Sequence, residues 1–212
     1  MARYTLPDGT PVPSVTEVLG NLGWKSYGLM RWAHNLGLKG ISLDDERTRL
    51  ADAGTLAHDM VESEIKGKPA PPLDGLAPDV IERAQQSFNA FRAWRKTSRF
   101  ELVASEVVIV SERLGYAGQI DCVAHLSGEV AVIDWKSSKQ LYPDQIVQLA
   151  AYALLWQDAH PDLPVQQLRV VRFPPEGGFA DHSISEKSRE AAERAWAAAF
   201  ELNKVKRLIK AA

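Results

Sequence analysis

The sequence predicts an α/β fold in which a central mixed sheet is flanked by helices. Three features carry that prediction. Residues 100–136 read as three consecutive strands, the last two joined by Ser127-Gly128, a tight-turn signal between runs rich in Val, Ile and Ala. A helix opening at Pro143 then leads to another strand at 165–173, so it crosses over the sheet and makes it mixed. Helical periodicity dominates the residues before and after this core. The expected organisation is one domain over residues 1–212: a helical part at 1–98, a sheet core at 99–184 and a C-terminal helix at 185–212.

Residues 7–13 are a turn-rich lead-in. Ser14 suits the N-cap of a short helix over 15–22, with Val15, Val18, Leu19 and Leu22 on one side and Gly23 closing it. Residues 24–36 mix Trp24, Tyr27 and Trp32 with Lys25, Arg31 and His34. Interleaved aromatic and basic residues can stack bases and neutralise phosphates, although large aromatics in a short helix are more often core. A long helix is expected at 44–66, with Asp44 and Asp45 at its start, Gly67 at its end and Leu56, Met60 and Val61 as anchors. His58 and Glu62 share one face of it. By helix position alone, His58 is more often a structural polar group than a ligand.

The segment 68–78 is a Pro/Gly-rich loop. The helix after it, at 79–96, carries the stripe Ile81, Ala84, Phe88 and Phe91, which reads as packing. A strand at 100–112 places Glu106 just before the run Val107-Val108-Ile109-Val110. On the 143–159 helix, Gln145, Gln148 and Tyr152 form a polar ridge, suited either to orienting a neighbouring lysine or phosphate or to a wet edge. A short strand at 179–184 and a helix capped by Ser185 complete the chain. That helix ends in Lys204, Lys206, Arg207 and Lys210, which suit a helix C-terminus as a solvated end or as a basic patch.

The hairpin is the informative stretch. With Ser127 and Gly128 as its turn, Leu126 faces Glu129, and counting outward brings Asp121 opposite Asp134. Directly opposed side chains share a face, with Cβ atoms roughly 4.5–5.5 Å apart. Lys136, two residues beyond Asp134, points the same way, and Trp135 the other. Two opposed carboxylates destabilise a sheet unless something offsets their repulsion. A hard divalent cation such as Mg²⁺ or Mn²⁺ does so, because it prefers carboxylate oxygens. A solvated polar face with Lys136 neutralising one aspartate is the alternative, but Val132, Ile133 and Trp135 argue for burial.

Composition narrows the class. The 212 residues are 45% hydrophobic and 25% charged, with a net charge of −2, ordinary for a globular chain with a good core. Any basic surface must be local. No segment approaches the roughly 20 apolar residues of a membrane span. The start lacks a signal-peptide pattern. The single cysteine, Cys122, allows no internal disulfide and fits an intracellular, cytoplasmic setting.

Gly118-Gln119-Ile120-Asp121, then Asp134-Trp135-Lys136, then Gln148-Leu149-Ala150-Ala151-Tyr152 resemble the GxxD, DxK and QxxxY motifs of RecB-like nucleases in the PD-(D/E)XK superfamily. Gly54-Thr55-Leu56-Ala57-His58 resembles that family's histidine motif, and Glu106 falls where the family often carries a glutamate on its first core strand. The motifs come in family order over about residues 14–173. Together with Pro13-Ser14-Val15-Thr16 they look most like the mitochondrial and small phage exonuclease type, whose members act on single-stranded DNA. One departure matters: clustered relatives use four cysteines, so this chain, with Cys122 alone, cannot hold an iron–sulfur cluster of that kind.

The resemblance implies a restriction-endonuclease-like core (a β-meander, a crossover helix and a further strand). It implies His58, Asp121 and Asp134 as metal ligands with the Trp135 carbonyl as a fourth, and Glu106 as a weaker candidate that binds metal indirectly or holds His58. Lys136 would position or activate water and stabilise charge on the scissile phosphate. Gln148 and Tyr152 would support Lys136 and the DNA backbone, with Ser137, Ser14, Thr16 and Arg31 as further substrate contacts. The expected activity is a Mg²⁺- or Mn²⁺-dependent DNA exonuclease preferring single strands or free ends. A flap or branched-DNA endonuclease and a catalytically silent DNA-binding module of the same fold are the alternatives.

Overall fold

The computed structural model describes residues 4–174 and 177–211. The chain opens with a small antiparallel pair, β1 (Tyr4–Thr5) and β2 (Pro11–Val12), turned by Gly9 at φ 85°. Helices α1 (Val15–Leu19), α2 (Ser26–Leu38), α3 (Leu43–Ile65) and α4 (Pro78–Thr97) follow. The sheet strands are β3 (Phe100–Ser111), β4 (Tyr116–Leu126) and β5 (Glu129–Lys136), then, after α5 (Pro143–Ala159), β6 (Gln167–Arg172) and β7 (Ala180–Ser183). Helix α6 (Glu186–Ala211) ends the chain.

The five sheet strands run in the order β3-β4-β5-β6-β7. All neighbours are antiparallel except β5 and β6, which the α5 crossover makes parallel. This is the mixed sheet expected from the strand–helix–strand pattern, in a restriction-endonuclease-like α/β core. The hairpin turn places Ser127 at φ 54° and Gly128 at φ 89°, the left-handed pair that a two-residue type I′ turn needs. Regular pairing then runs from Leu126↔Glu129 to Cys122↔Ile133. Asp121 and Asp134 are next in that register.

The sheet separates two apolar layers. On one face α5 and α6 pack Leu149, Leu155 and Trp196 against Val123, Val132 and Val170. On the other, α4 packs Phe91 and Trp94 against Ile133, Trp135 and Phe173. The Trp135 ring meets Phe91 at 5.6 Å and Trp94 at 5.2 Å, both edge-on, the arrangement ring quadrupoles favour. Helix α3 joins this side through Val61, and Leu56, Ala57 and Met60 close on Ala84 of α4. Alternation along β5 therefore sends Ile133 and Trp135 into one layer and leaves Asp134 facing α5.

Several local expectations need correction. Helix α1 is shorter than expected: it stops at Leu19 with Gly20 as C-cap, because the chain turns there before Gly23 takes a positive φ of 65°. The lead-in at 7–13 is the turn and second strand of a small hairpin, too short to show a period. The core reading of the 24–36 aromatics fails for Trp24 and Tyr27, which are 52% and 69% exposed. Helix α3 starts one residue earlier than expected, with Ser42 as its cap accepting from Asp45 N, and Asp44 and Asp45 lie in its first turn as expected. On α6, Lys204, Lys206 and Arg207 hydrogen-bond Glu201, Asn21 and Glu17, as a solvated end would; the Lys210 side chain lies outside the described residues. Among the described residues, no helix is long and apolar enough to cross a membrane.

Candidate active site

The site forms where β4 and β5 stop pairing regularly. Past Cys122↔Ile133, the Trp135 N–H donates to Asp121 Oδ2 at 3.0 Å. A side chain thus takes over from the ladder, and the Asp121 carboxylate is fixed at the fork. Asp134 beside it is buried, 1% exposed. Its Oδ1 accepts from Lys136 Nζ at 2.9 Å. Oδ2 lies 2.7 Å from the same nitrogen, outside hydrogen-bond geometry, and has no other partner. Burial pushes the Asp134 carboxyl up to about 7, against the pull of the Lys136 ammonium. Burial disfavours the Lys136 charge as well, but Asp134 and Asp121 outweigh it and raise Lys136 above its ordinary value. A buried carboxylate with one unsatisfied oxygen is costly unless a further charge completes it.

The second half of the site comes from the other face. His58 on α3 lies 3.4 Å from Glu106 Oε1 through Nδ1. Glu106 sits in the middle of β3 at φ 51°, a left-handed conformation costing a non-glycine residue about 1–2 kcal/mol. That departure turns its carboxylate toward α3, and Gln119 Nε2 holds the other oxygen at 2.6 Å. Strain of this kind persists only where its surroundings over-determine it. Burial lowers the His58 pKa, but the Glu106 hydrogen bond and the Asp121 and Glu106 charges prevail and push it up to about 9. Without a metal, the imidazole is therefore protonated, and its charge occupies the acidic cluster. One ligand atom each from His58, Glu106 and Asp121 lie within 4.8 Å of one another. An imidazole nitrogen with two carboxylates, next to a buried carboxylate oxygen that has an ion pair but no hydrogen bond, is a donor set that fits a divalent metal ion. Binding there would displace the His58 proton.

Helix α5 supplies the third wall. Gln148 Nε2 donates to the Tyr152 hydroxyl at 2.9 Å. Burial raises the Tyr152 pKa, and the nearby Asp134 and Asp121 charges add to it, so the phenol stays protonated. The close approach of Tyr152 explains Gly118: a Cβ there would meet Tyr152 Cε1 at 2.7 Å and Leu155 Cδ1 at 3.1 Å. The glycine of the GxxD motif is thus a spacer that lets α5 lie on β4. Gln145 is not part of the same ridge. It is buried and closes the helix start, accepting from Tyr142 N at 3.0 Å and donating to Ser138 Oγ at 3.1 Å.

The structure brings His58, Glu106 and Asp121 together, and Asp134 with Lys136. Ser137 is exposed beside Lys136 in a cavity of about 190 Å³ that His58 also lines. Ser14 caps α1, accepting from Glu17 N at 3.1 Å, and contacts Thr16 Oγ1. Thr16 and Gln148 line a separate cavity between α1, α2 and α5. Arg31 is exposed on α2, away from the carboxylates' contacts. Two residues had not been singled out from the sequence. Gln119 holds Glu106, and its position inside the GxxD motif was the available signal. Arg172 pairs with Lys136 across β5 and β6 and donates to Ser138 O at 2.9 Å and His182 Nε2 at 3.0 Å, so it ties down the loop after Lys136. Nothing local in the sequence marks it.

A mixed sheet that forks at two carboxylates, with a lysine two residues on and a Gln/Tyr helix over the fork, defines a nuclease-type core. The family profile described as the PD-(D/E)XK nuclease superfamily matches residues 29–211, and the chain belongs to that superfamily. It is 35% identical over 96 residues to mitochondrial genome maintenance exonuclease 1 of Mus musculus. That match covers 40% of this chain and 28% of the mouse protein, so the chain spans under a third of that relative's length. A solved structure provisionally described as an exonuclease of Eubacterium rectale superposes with TM-score 0.49 at 11% identity, over 73% of this chain and 66% of that one. An alkaline exonuclease of Laribacter hongkongensis gives TM-score 0.33 at 13% identity, over 77% and 92%.

Proposed function

We propose that this chain is a divalent-metal-dependent DNA exonuclease that prefers single strands or free ends. The observation that carries the reading is the convergence of His58, Glu106 and Asp121 next to a buried Asp134 whose second oxygen lacks a hydrogen bond. His58, Asp121 and Asp134 would hold the cation, with Glu106 as ligand or as the group that orients His58, and the Trp135 carbonyl completing the set. A bound Mg²⁺ or Mn²⁺ would supply a nucleophilic hydroxide near neutral pH and a clamp on the phosphoryl oxygens. Lys136, kept cationic by its two aspartates, would face the scissile phosphate and stabilise the charge that develops there. Gln148 and Tyr152 would hold the strand against Lys136, with the phenol remaining a hydrogen-bond donor because burial keeps it protonated. Ser137, Ser14 and Thr16 would add backbone contacts. The exonuclease reading draws support from the superfamily and from the name of the mouse relative; the single-strand preference rests on the motif resemblance.

The test is digestion of end-labelled linear and of circular single-stranded DNA with Mg²⁺ or Mn²⁺ and an EDTA control. Metal-dependent loss of the linear strand with the circle spared is expected. Cutting of the circle would move the assignment to an endonuclease, and no cleavage of either would overturn it.

A further inference from the structure

The cavity that Thr16 and Gln148 share has a volume of about 320 Å³ and lies between the end of α1, the first turn of α2 and the start of α5. That is near the lower end of the roughly 300–1,000 Å³ typical of ligand sites, the size class of a single nucleotide and too small for a duplex. Its apolar wall is Leu19, Leu22, Trp24 and Leu29. Trp24 and Leu29 remain 52% and 55% exposed. Aromatic and aliphatic surface left uncovered beside a cavity is a binding feature more than a packing one. Its polar edge is Thr16, Ser26 and Gln148, and Gln148 is the residue that donates to Tyr152. Asp144 also lines it, and the structural link from the cavity to the candidate site is Gln148, through its hydrogen bond to Tyr152. A carboxylate at such a mouth would repel a phosphate strand, but Lys25 forms an ion pair with Asp144 and cancels it.

We infer that this cavity is a subsite for one unpaired nucleobase next to the scissile phosphate, with the Trp24 ring as its stacking surface. The inference rests on the nuclease reading for the identity of the polymer but not for the existence of the subsite. A base held in a pocket cannot also sit in a duplex stack. The subsite therefore gives a structural reason for single-strand preference: the strand enters along α2, one base leaves the stack for Trp24, and its phosphate is delivered to Lys136. Stacking of this kind tolerates any base, because every base has a π-face.

The experiment is fluorescence anisotropy with a short labelled oligothymidylate in EDTA, repeated with one abasic residue moved along the strand. Wild-type protein and the Trp24→Ala and Trp24→Phe variants would be compared, with circular dichroism and size-exclusion chromatography alongside. In wild type, one abasic position should weaken binding roughly tenfold or more, the scale of one base–aromatic stack. Trp24→Ala should lose the same factor on the intact strand and show no positional dependence; Trp24→Phe should keep both. A flat abasic profile in wild type, a profile that survives in Trp24→Ala, or no strand binding at all would overturn the subsite. A change in oligomeric state on Trp24→Ala would also overturn it and assign the patch to self-association. Cleavage of linear DNA in Mg²⁺, run on the same preparations, reports separately on the nuclease reading: cleavage with a flat profile sinks only the subsite, and a dependent profile without cleavage sinks only the nuclease assignment.

Discussion

Helices α2 and α5 flank the same cavity and are built in opposite ways. Helix α5, 17 residues long, buries Gln145, Val147, Leu149, Ala150, Ala151, Tyr152, Ala153, Leu155 and Trp156. Helix α2, 13 residues long, buries Leu36 and leaves Tyr27, Leu29, Met30 and Leu38 to solvent. Packing on every side fixes α5 against β4 and β5, so Gln148 and Tyr152 have little freedom. The sparse burial of α2 gives it few contacts to hold it and a set of apolar side chains that no other part of the described chain covers. The difference teaches where precision is needed. On the proposed reading, Gln148 and Tyr152 would meet the phosphate from a helix that cannot shift without disturbing the core, and Trp24, just ahead of α2, would meet a base from a segment with fewer contacts to hold it.

The comparison can be broken most strongly at the chemical centre. Asp134→Asn preserves shape and should lower DNA cleavage on the order of 10²–10³-fold or more, with far-UV circular dichroism unchanged; cleavage within a few-fold of wild type would remove Asp134 from the mechanism. Next comes packing. Leu149→Ala on α5 removes a side chain that is 0% exposed and should cost about 2–5 kcal/mol in urea unfolding. Leu29→Ala on α2 should stay within about 0.5 kcal/mol, as exposed substitutions do. Equal costs at the two positions would contradict the contrast between the helices.

Gly118→Ala should cost about 1–3 kcal/mol through overpacking, since its Cβ would meet the Tyr152 ring at 2.7 Å. Pairing it with Tyr152→Ala should recover part of the loss in a double-mutant cycle, and strict additivity would show that the two positions do not press on each other. The smallest effect concerns the strained glutamate. Glu106→Gly and Glu106→Ala both remove the carboxylate, but only glycine relaxes φ 51° without cost. The glycine variant should therefore be about 1 kcal/mol more stable than the alanine variant in thermal unfolding; the reverse order would place no strain at this residue.

Much of the scaffold was legible because its signals were local. Ser127-Gly128 predicted the turn, and the turn dictated the register that brings Asp121 and Asp134 to the fork. Pro143 marked the start of α5, which runs to Ala159 as expected. What stayed hidden depends on contacts distant in sequence. The left-handed backbone at Glu106 aims its carboxylate at His58 and Gln119 on two other elements, which no local pattern announces. Gln145 looked like a neighbour of Gln148 on the helix wheel, yet the capping geometry at Tyr142 claims it. Arg172 acquires its role only when β6 lies parallel to β5 beside Lys136. Trp24 and Tyr27 carried the composition of core residues, yet α1 packs on α5 and α6 while these two side chains stay exposed.

The central claim is that the fork between β4 and β5 holds a divalent cation. Mn²⁺ binding followed by electron paramagnetic resonance, on wild type and on Asp121→Asn, tests it without requiring turnover. The account predicts saturable Mn²⁺ binding in wild type and a loss of affinity of at least tenfold in Asp121→Asn, whose carboxylate sits within 4.8 Å of the ligand atoms of His58 and Glu106. Equal Mn²⁺ binding by the two proteins, or none by wild type, would contradict it.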